Sequence, residues 1–291
     1  MTTPITATLL VSCRDRTGLV AGLSHFVFRN NGNILDLDQH AESDLDDETQ
    51  GMFFMRLTWD LAGFRLDRVG IAQSMNAFAA ESELSWQITY SDRRPRVAVF
   101  ASQTPHCLYD LLLRQQLGEL GGDIVAVVAN HQELAGVAAH FDVPFHYFPV
   151  CATTRMDNET AQQTLLKSLG VDLVVLARYM QILSPAFVAH WQDRIINIHH
   201  SFLPAFVGAK PYHQAKQRGV KIIGATAHYV TAELDQGPII EQDVARVSHR
   251  DQVEDLVRKG RDLERQVLSR AVRAHLDRRV LVCGNRTIVF S

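Results

Sequence analysis

Five histidines fall between residues 190 and 228: His190, His199, His200, His213 and His228. The last four sit in segments whose pattern reads as loop or strand end. The densest stretch is Ile195-Ile196-Asn197-Ile198-His199-His200-Ser201-Phe202-Leu203-Pro204, an apolar strand running into polar groups. Side chains alternate along a strand, so Asn197 and His199 face the same way at its carboxyl end. An amide donor and an imidazole converging on one oxygen suit a developing oxyanion. Polar residues also commonly finish strands and bond nearby backbone, and spacing alone leaves both readings open.

A second patch, His228-Tyr229-Val230-Thr231-Ala232-Glu233-Leu234-Asp235-Gln236-Gly237-Pro238, leaves one strand and re-enters another at Ile239-Ile240. Asp235 in that loop can act as a general base or orient a histidine that changes charge. It can also simply cap its own turn. Zinc would need three or four ligands at fixed geometry. His199 and His200 are adjacent and point to opposite faces of a strand, and there is no HExxH, so no metal site is expected. The loop Ala101-Ser102-Gln103-Thr104-Pro105-His106-Cys107 contains no glycine, whereas a dinucleotide or phosphate cradle needs several. Cys107, at a helix start, reads as a small packed residue in preference to an activated thiol.

The elements that must carry these residues form two patterns. Residues 1–92 read as βαββαβ: Thr6–Ser12, a helix over Leu19, Leu23, Phe26 and Val27, Asn33–Gln39, Gly51–Asp60, a helix over Arg65–Glu81, and Leu84–Tyr90. From residue 93 strands and helices alternate: strands at Val97–Ala101, Ile124–Ala129, Phe145–Phe148, Asp172–Leu176 and Ile195–Ile198, with helices between them. Such alternation predicts a mostly parallel, Rossmann-like sheet with helices on both faces. Ligands then bind beyond the carboxyl ends of the strands. Later strands are expected at Ile222–Val230 and Ile239–Ala245. A long amphipathic helix follows over Val253–Leu276, with Gly260 as its weak point. The strands Val280–Cys283 and Thr287–Phe290 close the chain. The expected domains are therefore 1–92 and 93–291.

Composition narrows the class. The 291 residues are 46% hydrophobic and 21% charged, which fits a globular protein and not a disordered chain. Residues 1–92 hold six Arg, no Lys and thirteen Asp or Glu, so the net charge of −3 hides an acidic first domain. No basic stripe stands out, and a pI near 6.5 argues against nucleic acid as a partner. No apolar run reaches the ~18 residues of a membrane span. The first residues lack a secretory pattern. Cys13, Cys107, Cys151 and Cys283 are widely spaced, as expected of reduced thiols in a cytoplasmic chain.

Asn197-Ile198-His199-His200-Ser201-Phe202-Leu203-Pro204, followed by Gly208, resembles the N-I-H-x-S-x-L-P…G motif of the formyltetrahydrofolate-dependent formyltransferase fold. His228-Tyr229-Val230-Thr231 through Asp235-Gln236-Gly237-Pro238 resembles that fold's H-[FY]-V-T loop ending in D-x-G-P. Leu176–Ser184 resembles the strand-end segment lining its folate pocket. The first domain, with Arg14-Asp15-Arg16-Thr17-Gly18-Leu19, resembles an ACT domain. Over essentially its whole length the chain resembles the formyltetrahydrofolate deformylase family.

The resemblance implies catalytic roles for Asn197, His199 and Asp235. It places folate against Met180, Gln181, Ile182, Leu183, His200, His228, Thr231, Ala232 and Glu233. It also implies hydrolysis of 10-formyltetrahydrofolate without a cofactor, supplying formate for purine synthesis and balancing the one-carbon pool. In the first domain it implies an amino-acid effector near Asp15, Gly18, Asn33 and Ile34, and a homo-oligomer, dimer or tetramer. The alternative is formyl transfer to an amine. Three departures from the transferase pattern favour hydrolysis: no glycine-rich loop at Ser102–Cys107, His200 where proline is common, and Gln181 where arginine is common.

Overall fold

The computed structural model describes residues 4–42, 51–151, 154–204 and 211–291. Gly208 lies outside the described residues. The chain divides into two compact units. The first runs through Arg94 and takes in Arg278–Leu281 and Ile288–Ser291. The second comprises Pro95–Asp277 and Val282–Thr287. The closing strands, assigned by sequence to the second domain, thus fall partly in the first unit.

The first unit contains β1 (Thr6–Arg14), α1 (Leu19–Arg29), β2 (Asn33–Glu42), β3 (Met52–Asp60), α2 (Arg68–Ser82) and β4 (Ser85–Tyr90). Its antiparallel sheet has the order β2-β3-β1-β4. Helix α1 forms where Leu19, Leu23 and Val27 recur every fourth residue, and that face is buried. Helix α2 starts at Asp67, whose carboxylate accepts from the Gly70 N–H at 2.8 Å. The core sits between sheet and helices, around Leu9, Val11, Phe53, Met55, Leu57, Trp59, Ile71 and Met75.

The second unit continues with β5 (Arg96–Ala101), α3 (His106–Gln116), β6 (Asp123–Ala129), α4 (Ala135–His140), β7 (Phe145–Tyr147), α5 (Arg155–Ser168), β8 (Leu173–Ala177), α6 (Pro185–His190) and β9 (Ile195–His199). Then follow α7 (Pro211–Arg218), β10 (Ile222–Tyr229), β11 (Ile239–Arg246), α8 (Val253–Leu276) and the hairpin β12 (Val280–Cys283) and β13 (Arg286–Val289). Seven strands form one sheet in the order β11-β10-β9-β8-β5-β6-β7. Strands β7, β6, β5, β8 and β9 are parallel, whereas β10 runs antiparallel to both β9 and β11. Strands β5 and β8 are apolar and almost wholly buried, as central parallel strands must be. The chain builds outward from β5 to β7 and then crosses back to β8, creating a switch point at the carboxyl ends of β5 and β8.

Two expectations from sequence change here. The segment around His213, read as loop, is the helix α7. Helix α8 runs unbroken through Gly260, which is buried and is not a weak point. A Cβ at that position would lie 1.9 Å from the hydroxyl of Tyr212, so a close approach between α7 and α8 requires glycine.

Candidate active site

Strand β9 delivers Asn197 and His199 to the same face, His199 buried and Asn197 half-buried. In the antiparallel ladder His228 of β10 stands opposite Asn197. Asn197 Nδ2 lies 3.3 Å from His228 Nε2. His228 Nδ1 lies 2.9 Å from the Tyr229 carbonyl, which can only accept, so Nδ1 carries the hydrogen there. In that tautomer Nε2 accepts from the Asn197 amide and leaves its second N–H to point elsewhere. The turn after His199 is fixed by Thr226, whose hydroxyl donates to Ser201 O at 2.9 Å and accepts from Leu203 N–H at 3.0 Å.

Asp235 arrives from the loop between β10 and β11. That loop doubles back because Tyr229 N–H donates to Pro238 O at 2.9 Å. At Gly237 a Cβ would meet Tyr229 O at 1.8 Å, so the turn admits only glycine. Asp235 itself has φ 57°, a left-handed conformation that costs a non-glycine residue about 1–3 kcal/mol and clusters at functional sites. Its Oδ2 lies 3.2 Å from His199 Nδ1 and its Oδ1 3.7 Å from His228 Nε2. The hydrogen bond from His199 is the main reason the Asp235 carboxyl lies well below the usual carboxylate range, against the opposing effect of burial. The group is an anion facing two imidazoles.

His199 Nε2 is buried and has no hydrogen-bond partner among the described residues. Leaving such a group unpaired costs about 1–3 kcal/mol, which a ligand accepting from it would relieve. Because Nδ1 donates to Asp235, Nε2 can donate only when the ring is an imidazolium.

These groups line a cavity of about 330 Å³. Every sequence-derived site residue of this unit lines it: Met180, Gln181, Ile182 and Leu183 after β8, Asn197, His199 and His200 at the end of β9, His228 on β10, and Thr231, Ala232, Glu233 and Asp235 beyond it. Sequence reasoning did not assign Val188, Ile198, Val230 or Leu234 to the site, and it gave Leu176, Arg178 and Tyr179 only as part of the segment resembling the folate-pocket wall. The apolar ones carry no signal that separates them from core. Arg178 carries one, a charge ending an apolar strand, and its φ of 64° marks it further. The segment after β8 is held by its backbone: Met180 N–H donates to Ser102 Oγ at 3.0 Å, and Ser102 donates to Asn130 Oδ1 at 2.7 Å. The Arg155 guanidinium donates to Ile182 O. Met180 and Ile182 are each 61% exposed, leaving apolar surface at the cavity mouth.

His200 follows His199, with ring centroids 5.2 Å apart. Burial, and then the Arg178 guanidinium, push its pKa down to about 4, so it is neutral at pH 7. Behind it, His106, Cys107 and Glu264 bring three ligand-type atoms within 4.8 Å of one another. The Arg178 guanidinium already stands 3.5 Å from Glu264, and burial followed by Glu264 pushes the Cys107 thiol well up. A cation beside a protonated thiol makes this an ion network and a poor metal site.

The four candidate effector residues are not brought together within one chain. Asp15 and Gly18 follow β1 at the Arg14–Met52 end of the sheet, while Asn33 and Ile34 open β2 at the Thr6–Asp60 end. Eight residues of strand separate these ends, about 25 Å. Gly18 sits at φ 91°, where it caps α1. Ile34 packs against the core.

The fold and this site define a catalytic unit of the formyl transferase class, and residues 95–272 match the family model described as "Formyl transferase". The similarity of the whole chain is more specific. It is 53% identical over 287 residues to a formyltetrahydrofolate deformylase of Synechocystis, covering 99% of each chain. It is 43% identical to the Escherichia coli K12 formyltetrahydrofolate deformylase, covering 95% of each. The crystal structure of a formyltetrahydrofolate deformylase from Pseudomonas syringae aligns with TM-score 0.94 at 47% identity, covering 99% of this chain and 95% of that one. A glycinamide ribonucleotide transformylase from Symbiobacterium toebii aligns with only 68% of this chain, at TM-score 0.65 and 32% identity. The chain belongs to the formyltetrahydrofolate deformylase family.

Proposed function

We propose that this chain hydrolyses 10-formyltetrahydrofolate to formate and tetrahydrofolate, with Asn197, His199 and Asp235 as its catalytic residues. The observation that carries the assignment of roles is the buried, unpartnered His199 Nε2 beside the cavity, with Asp235 on the opposite ring nitrogen. Water adds to the formyl carbon and negative charge develops on the formyl oxygen. The free N–H of Asn197 and the His199 imidazolium donate to that oxygen. Each such donor is worth ~100–1,000-fold in rate. Asp235 takes the proton lost by water. Its depressed pKa makes it a poor resting place, so the proton passes on to N10, which must be protonated to leave. Met180, Gln181, Ile182, Leu183, His200, His228, Thr231, Ala232 and Glu233 line the space for the folate.

Transfer to an amine is the weaker reading, because the whole-chain relatives carry the deformylase name and the transformylase aligns with only 68% of this chain. The same family reading supports a cytoplasmic enzyme that needs no cofactor and returns formate to purine synthesis. It supports a homo-oligomer built through the first unit, where edge strand β2 exposes Leu35 and Leu37 and α1 exposes Phe28. An amino-acid effector would then bind between two copies, Asp15 and Gly18 of one facing Asn33 and Ile34 of the next. Single-turnover reaction of enzyme with 10-formyltetrahydrofolate alone tests the activity. Stoichiometric formate supports hydrolysis; none without an added amine refutes it.

A further inference from the structure

Outside the catalytic trio, one buried carboxylate gathers residues from four elements. Glu264 of α8 is 2% exposed. Its Oε2 lies 2.9 Å from His106 Nε2, at the start of α3, and 3.5 Å from Arg178 Nε, just past β8. Its Oε1 accepts from the Tyr212 hydroxyl of α7 at 3.0 Å. Burial works to raise the Glu264 pKa, but the bond from His106 and the Arg178 charge outweigh it and leave the carboxyl below its ordinary value. The Tyr212 phenol is pushed up, by burial and then by Glu264, so it stays a donor.

This cluster lies at the switch point between β5 and β8, where an α/β sheet ordinarily receives a ligand. Arg178 and His200 belong at once to the cluster and to the wall of the formyl-site cavity. His106, on the other side of Glu264, lines a second, outer cavity with Val253, Val257, Arg261 and Arg265 of α8. The network therefore stands between the formyl site and an approach from outside. Tyr212 is its fitted piece. Its ring lies 6.2 Å from that of His200, and its hydroxyl fills the notch that Gly260 leaves in α8. The Glu264 oxygens are already engaged and offer nothing to an incoming polar molecule.

We infer that Tyr212, seated at Gly260 and anchored on Glu264, is a specificity-determining residue that closes the acceptor side of the formyl site, so that water is admitted and primary amines are not. This rests on the hydrolase reading. With the ring removed, a primary amine reaches the formyl carbon. Its lone pair forms the new C–N bond, the bond from carbon to N10 breaks, and the amine proton passes through Asp235 to N10. The products are an N-formyl amine and tetrahydrofolate.

The test measures product partition from 10-formyltetrahydrofolate with added hydroxylamine or glycinamide. The wild-type chain should yield formate alone. Tyr212→Ala should formylate the amine about tenfold or more above wild type, the range that a pocket contact controls. Its folate KM should stay within about twofold, since Tyr212 lies outside the folate cavity. Gly260→Ala, which drives the ring from its notch without deleting it, should behave alike and serves if Tyr212→Ala fails to fold. A folded, hydrolytically active variant with normal folate KM that still yields only formate would overturn the inference. So would wild-type formylation of the amine at the variant's level. Absence of wild-type formate without amine would instead refute the hydrolase reading.

Discussion

Replacing Asp235 by asparagine keeps the shape of the side chain and removes its charge. The structure sets the size of the effect. The carboxylate faces His199 Nδ1 at 3.2 Å and His228 Nε2 at 3.7 Å. An amide can still accept from His199 through its oxygen and turn its N–H₂ group toward His228 Nε2, so the shape survives and the charge goes. His199 loses the anion beside its Nδ1 on which donation from Nε2 relies, which removes one oxyanion donor at ~100–1,000-fold. The proton acceptor for water goes as well, at ~100–10,000-fold. Groups acting as a unit do not contribute additively, so kcat should fall about 1,000–10,000-fold, or about 4–5.5 kcal/mol in the barrier. Folate KM should change little, because Asp235 belongs to the formyl end. Stability should change too. The folded pKa lies below the unfolded value of about 3.9, so the stabilisation is fully present above that value and is lost as pH falls through the folded one. Asp235→Asn should melt lower than wild type at pH 7, and the gap should narrow in acid. Rapid-quench turnover and thermal melts between pH 3 and pH 7 read both effects. Turnover within about tenfold of wild type would refute the argument, since neither loss would then have occurred.

Asn197→Ala should lower kcat by ~100–1,000-fold with folate KM nearly unchanged, as steady-state kinetics would show. The neutral state of His200 predicts an acid-labile fold. Its pKa is about 4 when folded and ~6.5 when unfolded, so only the unfolded chain binds the proton between those values. Stability should therefore fall as pH drops through this window, by at most about 3 kcal/mol, and His200→Asn should flatten that slope in denaturant titrations. Prolonged chelation should leave turnover unchanged; a loss restored by zinc would revive a metal role for the histidines.

Local pattern made most elements legible. Alternation placed Asn197 and His199 on one face, and the β10–β11 loop with Asp235 was readable from its turn residues. What escaped depends on distant packing. The antiparallel placement of β10 beside β9, which sets His228 opposite Asn197, is a strand order that no local period encodes. Helix α7 was hidden because Ala215 is a lone buried apolar position among polar neighbours. Gly260 looked like a helix breaker because the ring that needs its space comes from α7, 48 residues earlier in sequence. Glu264 carries no local signal on a long, charge-rich helix, because its partners His106, Arg178 and Tyr212 come from distant parts of the chain.

In the proposed mechanism one amide, one imidazole and one carboxylate surround a single formyl carbon. A crystal structure with a non-hydrolysable 10-formyl folate analogue tests it most directly. The formyl oxygen should lie about 2.7–3.1 Å from both Asn197 Nδ2 and His199 Nε2, with Asp235 within reach of a water on the carbon. A formyl group seated elsewhere, out of reach of those two nitrogens, would contradict the account.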